Sequence, residues 1–139
     1  MLKILLVDDD QEEYEFITSA FESLTVNADV IQVQDCSDVT QTIKSHNPDM
    51  VFIDINMPSI NGIECLKAVR ADSRFETLPI IIYSTSSSVA DIQESFKHKA
   101  NLYVVKPNTF KKLTSSLQKV LSMDWNLKSH LPIEKFLIA

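Results

Sequence analysis

At 139 residues the chain has room for one domain with a sizeable core but not for two independent ones. Apolar residues make up 45% and charged residues 23%, the balance of a soluble globular protein rather than a disordered one. The net charge of −6, with lysines and arginines scattered, argues against direct nucleic-acid binding, and no apolar stretch approaches bilayer length.

From Met1 the sequence runs into an aliphatic segment, Ile4 to Val7, without a basic leader or cleavage site, so a cytoplasmic location is expected. Acid follows at once, with Asp8, Asp9 and Asp10 and then Glu12, Glu13 and Glu15. Asp10 and Glu13 have the spacing of a capping box for a first helix whose apolar face carries Ile17, Ala20, Phe21 and Leu24. A second short strand, Val30 to Val33, leads to a helix marked by Val39, Thr42 and Ile43 and stopped by Asn47-Pro48. The third strand, Met50 to Ile53, is followed by Asp54 and by a helix with Ile63, Leu66 and Val69. Pro79 to Tyr83 forms the fourth, followed by the hydroxyl run Ser84 to Ser88 and a helix with Ile92 and Phe96. Leu102 to Val105 forms the fifth, then Lys106-Pro107 and a helix with Leu113, Leu117, Val120 and Leu121. Strict alternation of strand and helix predicts an α/β fold, a doubly wound five-stranded parallel sheet covered on both faces, with ligands at the carboxyl ends of its strands.

Residues 1–121 account for this pattern. The remainder, 122–139, carries Trp125, Leu127, Leu131, Pro132, Ile133, Phe136 and Leu137 and is too apolar for a free tail. It packs on the domain's own helices, forms a homodimer contact or awaits a partner, with self-packing the preferred expectation. Cys36 and Cys65 lack a pairing signature and read as reduced thiols. His46, His98 and His130 have no zinc-ligand spacing, and Met50, Met57 and Met123 read as packing residues.

If the strands are placed correctly, Asp8, Asp9, Asp54, Ser84 and Lys106 converge on one edge. Each alone has an ordinary explanation: a solvated loop capping a helix, a hydroxyl turn, a loop lysine. Together they do not, because Asp54 follows an apolar strand directly, where an unpaired acid is costly beside the core. Three gathered carboxylates repel one another unless a cation sits among them, and an all-oxygen site with room for water favours Mg²⁺.

The segments Leu5-Leu6-Val7-Asp8-Asp9, Phe52-Ile53-Asp54-Ile55-Asn56-Met57-Pro58, Gly62, Ser84 and Tyr103-Val104-Val105-Lys106-Pro107, in this order, resemble the bacterial two-component response-regulator receiver family over Met1 to Leu121. The resemblance implies a flavodoxin-like receiver fold of strand order 2-1-3-4-5. It assigns Asp54 as phosphoacceptor, and Asp9, Asp54 and the backbone carbonyl of Asn56 as Mg²⁺ ligands, with Asp8 acting through water. Lys106 corresponds to the phosphoryl-binding cation, Ser84 to the switch hydroxyl and Tyr103 to the switch aromatic, and Thr85, Ser86 and Asn56 to tuning positions. It also suggests a cis Lys106-Pro107 bond. Apart from the resemblance, the alternative for Tyr103 is a strand aromatic packed permanently in place.

Lys99-Ala100-Asn101 departs from the family, which commonly has glycine before the alanine, so Lys99 either takes a positive φ or the helix ends differently. Thr85 is bulkier than the small residue usual after the switch hydroxyl. The resemblance implies a stand-alone receiver phosphorylated by a sensor histidine kinase or a phosphotransfer protein. Its output would be a protein contact through helix four, strand five and helix five, with the phosphodonor met at the acidic edge beside helix one. A phosphorylation-independent adaptor of the same fold is the alternative; intact Asp54, Lys106 and Ser84 argue against it. A phosphohydrolase acting through an aspartyl phosphate would want a second acid two positions after the nucleophile, and Asn56 stands there instead.

Overall fold

The computed structural model describes residues 1–58, 60–125 and 132–139. Leu127, His130 and Leu131, named above, lie outside the described residues. In chain order the elements are β1 (Leu2–Val7), α1 (Gln11–Ser23), β2 (Ala28–Val33), α2 (Val39–His46), β3 (Met50–Ile53), α3 (Gly62–Arg70), a single 3₁₀ turn (Ser73–Phe75), β4 (Ile80–Ser84), α4 (Val89–Lys97), β5 (Leu102–Val105), α5 (Phe110–Ser122), α6 (Ile133–Phe136) and β6 (Leu137–Ile138). The described strands form one parallel sheet in the order β2-β1-β3-β4-β5-β6. The 2-1-3-4-5 order implied by the resemblance is therefore present, with a sixth strand added beside β5.

The sheet's two faces separate its residues by strand parity. Ile4, Leu6, Phe52, Ile81 and Tyr83 pack with Ile17 and Phe21 of α1 and Leu113, Leu117 and Val120 of α5. Leu5, Val7, Ile53, Ile82 and Tyr103 pack with Ile43 of α2 and Ile63, Leu66 and Val69 of α3, flanked by Ile92 and Phe96 of α4. β3 and β4 are buried throughout, which is why they read as unbroken apolar runs instead of alternating ones. Each fully buried aliphatic side chain contributes roughly 1.5–3 kcal/mol relative to an exposed one.

Helix ends follow their local chemistry with one correction. Asp10 caps α1, its Oδ1 accepting from the Glu12 N–H at 2.9 Å, but Glu13 does not close a capping box, because its carboxylate accepts from Tyr83 instead. Asn47 ends α2 at φ 49°, as the Asn-Pro pair suggests. Lys99 adopts φ 69°, the strained alternative. Arg70 holds that turn, its guanidinium donating to the Lys99 carbonyl at 2.9 Å and to Asn101 Oδ1 at 2.7 Å. The Lys106-Pro107 bond is trans, contrary to the cis form suggested by resemblance. Cys36 and Cys65 are buried free thiols in the same core cluster, one in the loop after β2 and one on α3, a proximity that their sequence spacing conceals.

Candidate functional site

Strand register brings the polar groups together. Val7 lies opposite Ile53 across β1 and β3, so each strand's next residue is an aspartate, and the Asp54 N–H donates to the Val7 carbonyl at 2.9 Å. Ser84 lies opposite Val105 across β4 and β5, and the Lys106 N–H donates to the Ser84 carbonyl at 2.7 Å. All four loops therefore open on one edge, and a register slip of one residue would turn these side chains to the opposite faces.

Oxygens of Asp8, Asp9 and Asp54 all lie within 4.8 Å of one another. Asp8 is fully buried, Asp54 is 5% exposed and Asp9 faces solvent. The Lys106 ammonium donates to Asp8 Oδ2 at 2.9 Å and to Asp54 Oδ2 at 3.3 Å. The other Asp54 oxygen accepts from the Asn56 N–H at 3.2 Å. With all three acids ionised, one ammonium leaves the cluster short of positive charge. Opposite ligands of Mg²⁺ stand about 4.2 Å apart, twice a bond length of about 2.1 Å, so oxygens already this close fit a small hard cation. Asp9, facing solvent, leaves room for its waters.

Burial pushes the Asp54 carboxyl above the usual carboxylate range; the Lys106 charge opposes this and the Asp8 charge adds to it. Burial pulls Lys106 down, but its hydrogen bond to Asp8 and the charges of Asp54, Asp8 and Glu13 more than offset it and leave the ammonium firmer than usual. The lysine is therefore protonated wherever the acids are ionised.

Gly62 fixes the loop between β3 and α3. A Cβ there would stand 2.1 Å from the Asp54 carbonyl oxygen, so no side chain fits without moving the backbone that carries Asp54. The Gly62 N–H also donates to the Ile55 carbonyl at 2.9 Å, and Asn61 caps α3 by accepting from the Ile63 N–H at 2.8 Å.

Ser84 is fully buried, and its hydroxyl oxygen accepts from Asn56 Nδ2 at 3.4 Å and from the Ser86 N–H at 3.2 Å. Tyr103 is also fully buried and donates from its hydroxyl to the Ser86 carbonyl at 2.8 Å. Asn56 and Thr85 lie at the surface and Ser86 is half-buried, bonded through its hydroxyl to Asp91 of α4. The nine candidate residues thus form one contiguous set around the carboxyl ends of β1, β3, β4 and β5, with Thr85 on its outer rim.

Two residues bordering this set escape the sequence patterns. Tyr83, fully buried on the opposite strand face from Ser84, lies with its ring centroid 5.4 Å from the Lys106 ammonium. Its hydroxyl donates to Glu13 at 3.0 Å, and burial raises the Glu13 carboxyl against the pull of Lys106. Glu13 is legible only as a helix acid, and Tyr83 only as a strand aromatic. The one available signal is the parity that sends Tyr83 to the face where α1 packs.

The family model of the response regulator receiver domain matches residues 4–118. Chemotaxis protein CheY1 of Helicobacter pylori is 33% identical over 121 residues, spanning 86% of this chain and 97% of that one. Among solved structures, response regulator RPA3017, described in red light signalling of R. palustris, superposes with a TM-score of 0.81 at 25% identity, covering 95% of this chain and 99% of that one. The phosphorylated cyanobacterial phytochrome response regulator RcpA superposes with a TM-score of 0.78 at 25% identity, covering 94% and 98%.

Proposed function

The chain belongs to the response-regulator receiver family, and from that premise we propose that Asp54 accepts a phosphoryl group from a sensor histidine kinase or a histidine phosphotransfer protein. Residues 1–121 act as the receiver unit and 122–139 as an extension of it. The observation that carries this is the buried Asp54 carboxylate held between Lys106 and the Asn56 amide, beside two further aspartates. That RcpA is described in a phosphorylated form lends weight to it.

Receiver domains bind Mg²⁺ at an acidic pocket; here Asp9, Asp54 and the Asn56 carbonyl would hold the ion, with Asp8 acting through water, and it would neutralise charge on the phosphoryl oxygens. The chain's own residues do the rest. Asp54 supplies the attacking oxygen, fixed by the Asn56 N–H; its new bond to phosphorus replaces the donor's bond to nitrogen. Lys106, oriented by Asp8 and lying against Tyr83, meets the equatorial oxygens on which charge gathers. Ser84 then donates to a phosphoryl oxygen, and the loop carrying Ser86 follows, with Tyr103 as the switch aromatic and Thr85, Ser86 and Asn56 setting access for water. The acyl phosphate is reactive enough to be lost again, so the signal is reversible.

The output is a contact with a protein partner across α4, β5 and α5, in the cytoplasm, with pairing of two copies at that face as a further use of it. No helix among the described residues is long and apolar enough to cross a membrane. The phosphorylation-independent adaptor is not favoured, since Lys106 bridges Asp8 and Asp54 beside Asp9 in the arrangement that transfer would use. Incubation with a small acyl phosphate, with and without Mg²⁺, and intact mass measurement test the assignment. The wild type gains one phosphoryl group only with Mg²⁺, and Asp54→Ala gains none; a gain by the mutant would move the acceptor elsewhere.

A further inference from the structure

Beyond α5 the chain comes back to the sheet and closes over the switch aromatic. β6 pairs in parallel with β5, Leu137 opposite Tyr103 and Ile138 opposite Val104. The residue before it, Phe136, is 1% exposed. Its ring stands 5.3 Å from that of Phe96 on α4, edge to face, and 6.4 Å from that of Tyr103. Tyr103 is thus held from both ends, its hydroxyl by the Ser86 carbonyl and its ring by Phe136. An unbroken series of contacts runs from the active edge to this segment: Ser84 Oγ to the Ser86 N–H, the Ser86 carbonyl to the Tyr103 hydroxyl, and the Tyr103 ring to Phe136.

A ligand shifts a two-state element only through its different affinity for the two states. Phe136 meets the Tyr103 ring in its buried, inward position. We propose that residues 133–138 are an intramolecular ligand of the β5 edge that prefers the inward Tyr103, so that their docking and the phosphorylation of Asp54 strengthen one another. This rests on the phosphoacceptor role of Asp54. Linkage is reciprocal: the factor by which the segment tightens binding of a phosphoryl group's mimic equals the factor by which the mimic tightens docking of the segment. The docked segment leaves Ile133 and Leu137 outward on this margin, at 44% and 40% exposure, so a partner at β5 meets a surface that includes them.

Beryllofluoride with Mg²⁺, a mimic of the aspartyl phosphate, is the probe, titrated against the full chain. Phe136→Ala weakens its binding about 5-fold or more, the lower bound of ordinary allosteric coupling, while Gln41→Ala, exposed on α2 and outside the segment, leaves it unchanged. Hydrogen exchange read in the same samples shows the amides of Phe136, Leu137 and Ile138 slowed by the mimic in the wild type. In a Tyr103→Ala background the effect of Phe136→Ala disappears, which separates coupling through the ring from general loosening of the fold. Phe136→Leu, which keeps an apolar side chain, recovers part of the affinity should Phe136→Ala fold poorly. Equal mimic affinity in Phe136→Ala and wild type, or a loss that persists in the Tyr103→Ala background, overturns the proposal with the acceptor role intact. If the wild type binds the mimic no better than Asp54→Ala does, the acceptor role itself fails.

Discussion

Two margins of the sheet are held by opposite kinds of force. At the carboxyl ends of β1, β3 and β5 the chain buries charge: Lys106 and Asp8 have almost no exposed side-chain surface, and each is tolerable only because the other is present. At the β5 edge it buries a ring: Phe136 is kept by apolar contact with Phe96 and Tyr103 and by a two-residue strand, with no ion pair in the described contacts. Removing one member of the first set strands a charge in the interior. Removing Phe136 leaves only a gap that a short terminal segment can escape by letting go. The charged corner should therefore respond steeply to mutation, metal and pH, and the aromatic margin in a graded and local way.

Lys106→Ala tests the steep end. It leaves Asp8 and Asp54 buried together without their cation and should lower stability by about 3 kcal/mol, near the lower bound for breaking a buried pair because Asp54 can take up a proton. Urea denaturation with and without Mg²⁺ reads this, and saturating Mg²⁺ should recover much of the loss. A loss that Mg²⁺ does not touch would mean that the lysine matters for packing instead of charge.

Gly62→Ala comes next, at about 2 kcal/mol, since a methyl 2.1 Å from the Asp54 carbonyl oxygen must push the β3–α3 loop aside. Because that loop carries Asp54 and Asn56, phosphorylation by a small phosphodonor should slow in the same variant. Normal phosphorylation kinetics with full stability would show that the loop can yield.

Phe136→Ala should cost about 1–2 kcal/mol in urea, well under the 3–5 kcal/mol typical of a core phenylalanine, because the segment can detach without unfolding the sheet. Faster amide exchange should stay confined to the β5–β6 margin. A loss of the full core magnitude would make this margin part of the cooperative unit and dissolve the contrast.

The two margins also differ in how far the sequence announces them. Asp8, Asp54 and Lys106 each follow a buried aliphatic run, so strand parity and the alternation of elements suffice to gather them on one edge. The charged corner's outer supports are hidden because they depend on distant pairings: Glu13 finds its donor in Tyr83, 70 positions away, and its helical spacing suggests a capping box instead. Lys99 keeps its positive φ next to Arg70, on another helix, which no local pattern links to it. β6 is two residues long, too short for any periodicity to mark, and its pairing with β5 becomes visible only in three dimensions. Local polarity and period are written in the sequence; partners brought together by the fold are not.

The smallest expected effect separates the two forces most finely. Asp54 has a folded pKa above its unfolded value near 3.8, so the folded state holds this proton more tightly than the unfolded one. Without Mg²⁺, the contribution of Asp54 to stability therefore declines as pH rises from the unfolded value through the folded one and then levels off. That direction already includes the attraction of Lys106, which stays charged across the window and adds no slope of its own there. Asp54→Asn removes the ionisation and should gain on the order of 1 kcal/mol over wild type at neutral pH, a gain that vanishes near pH 3. Saturating Mg²⁺ should shrink or reverse the difference, because the ion stabilises the protein that binds it by mass action. Urea midpoints for both proteins from pH 3 to 7, with and without Mg²⁺, read all three. A difference independent of pH would place the effect in packing, and the two margins would then be held by the same force.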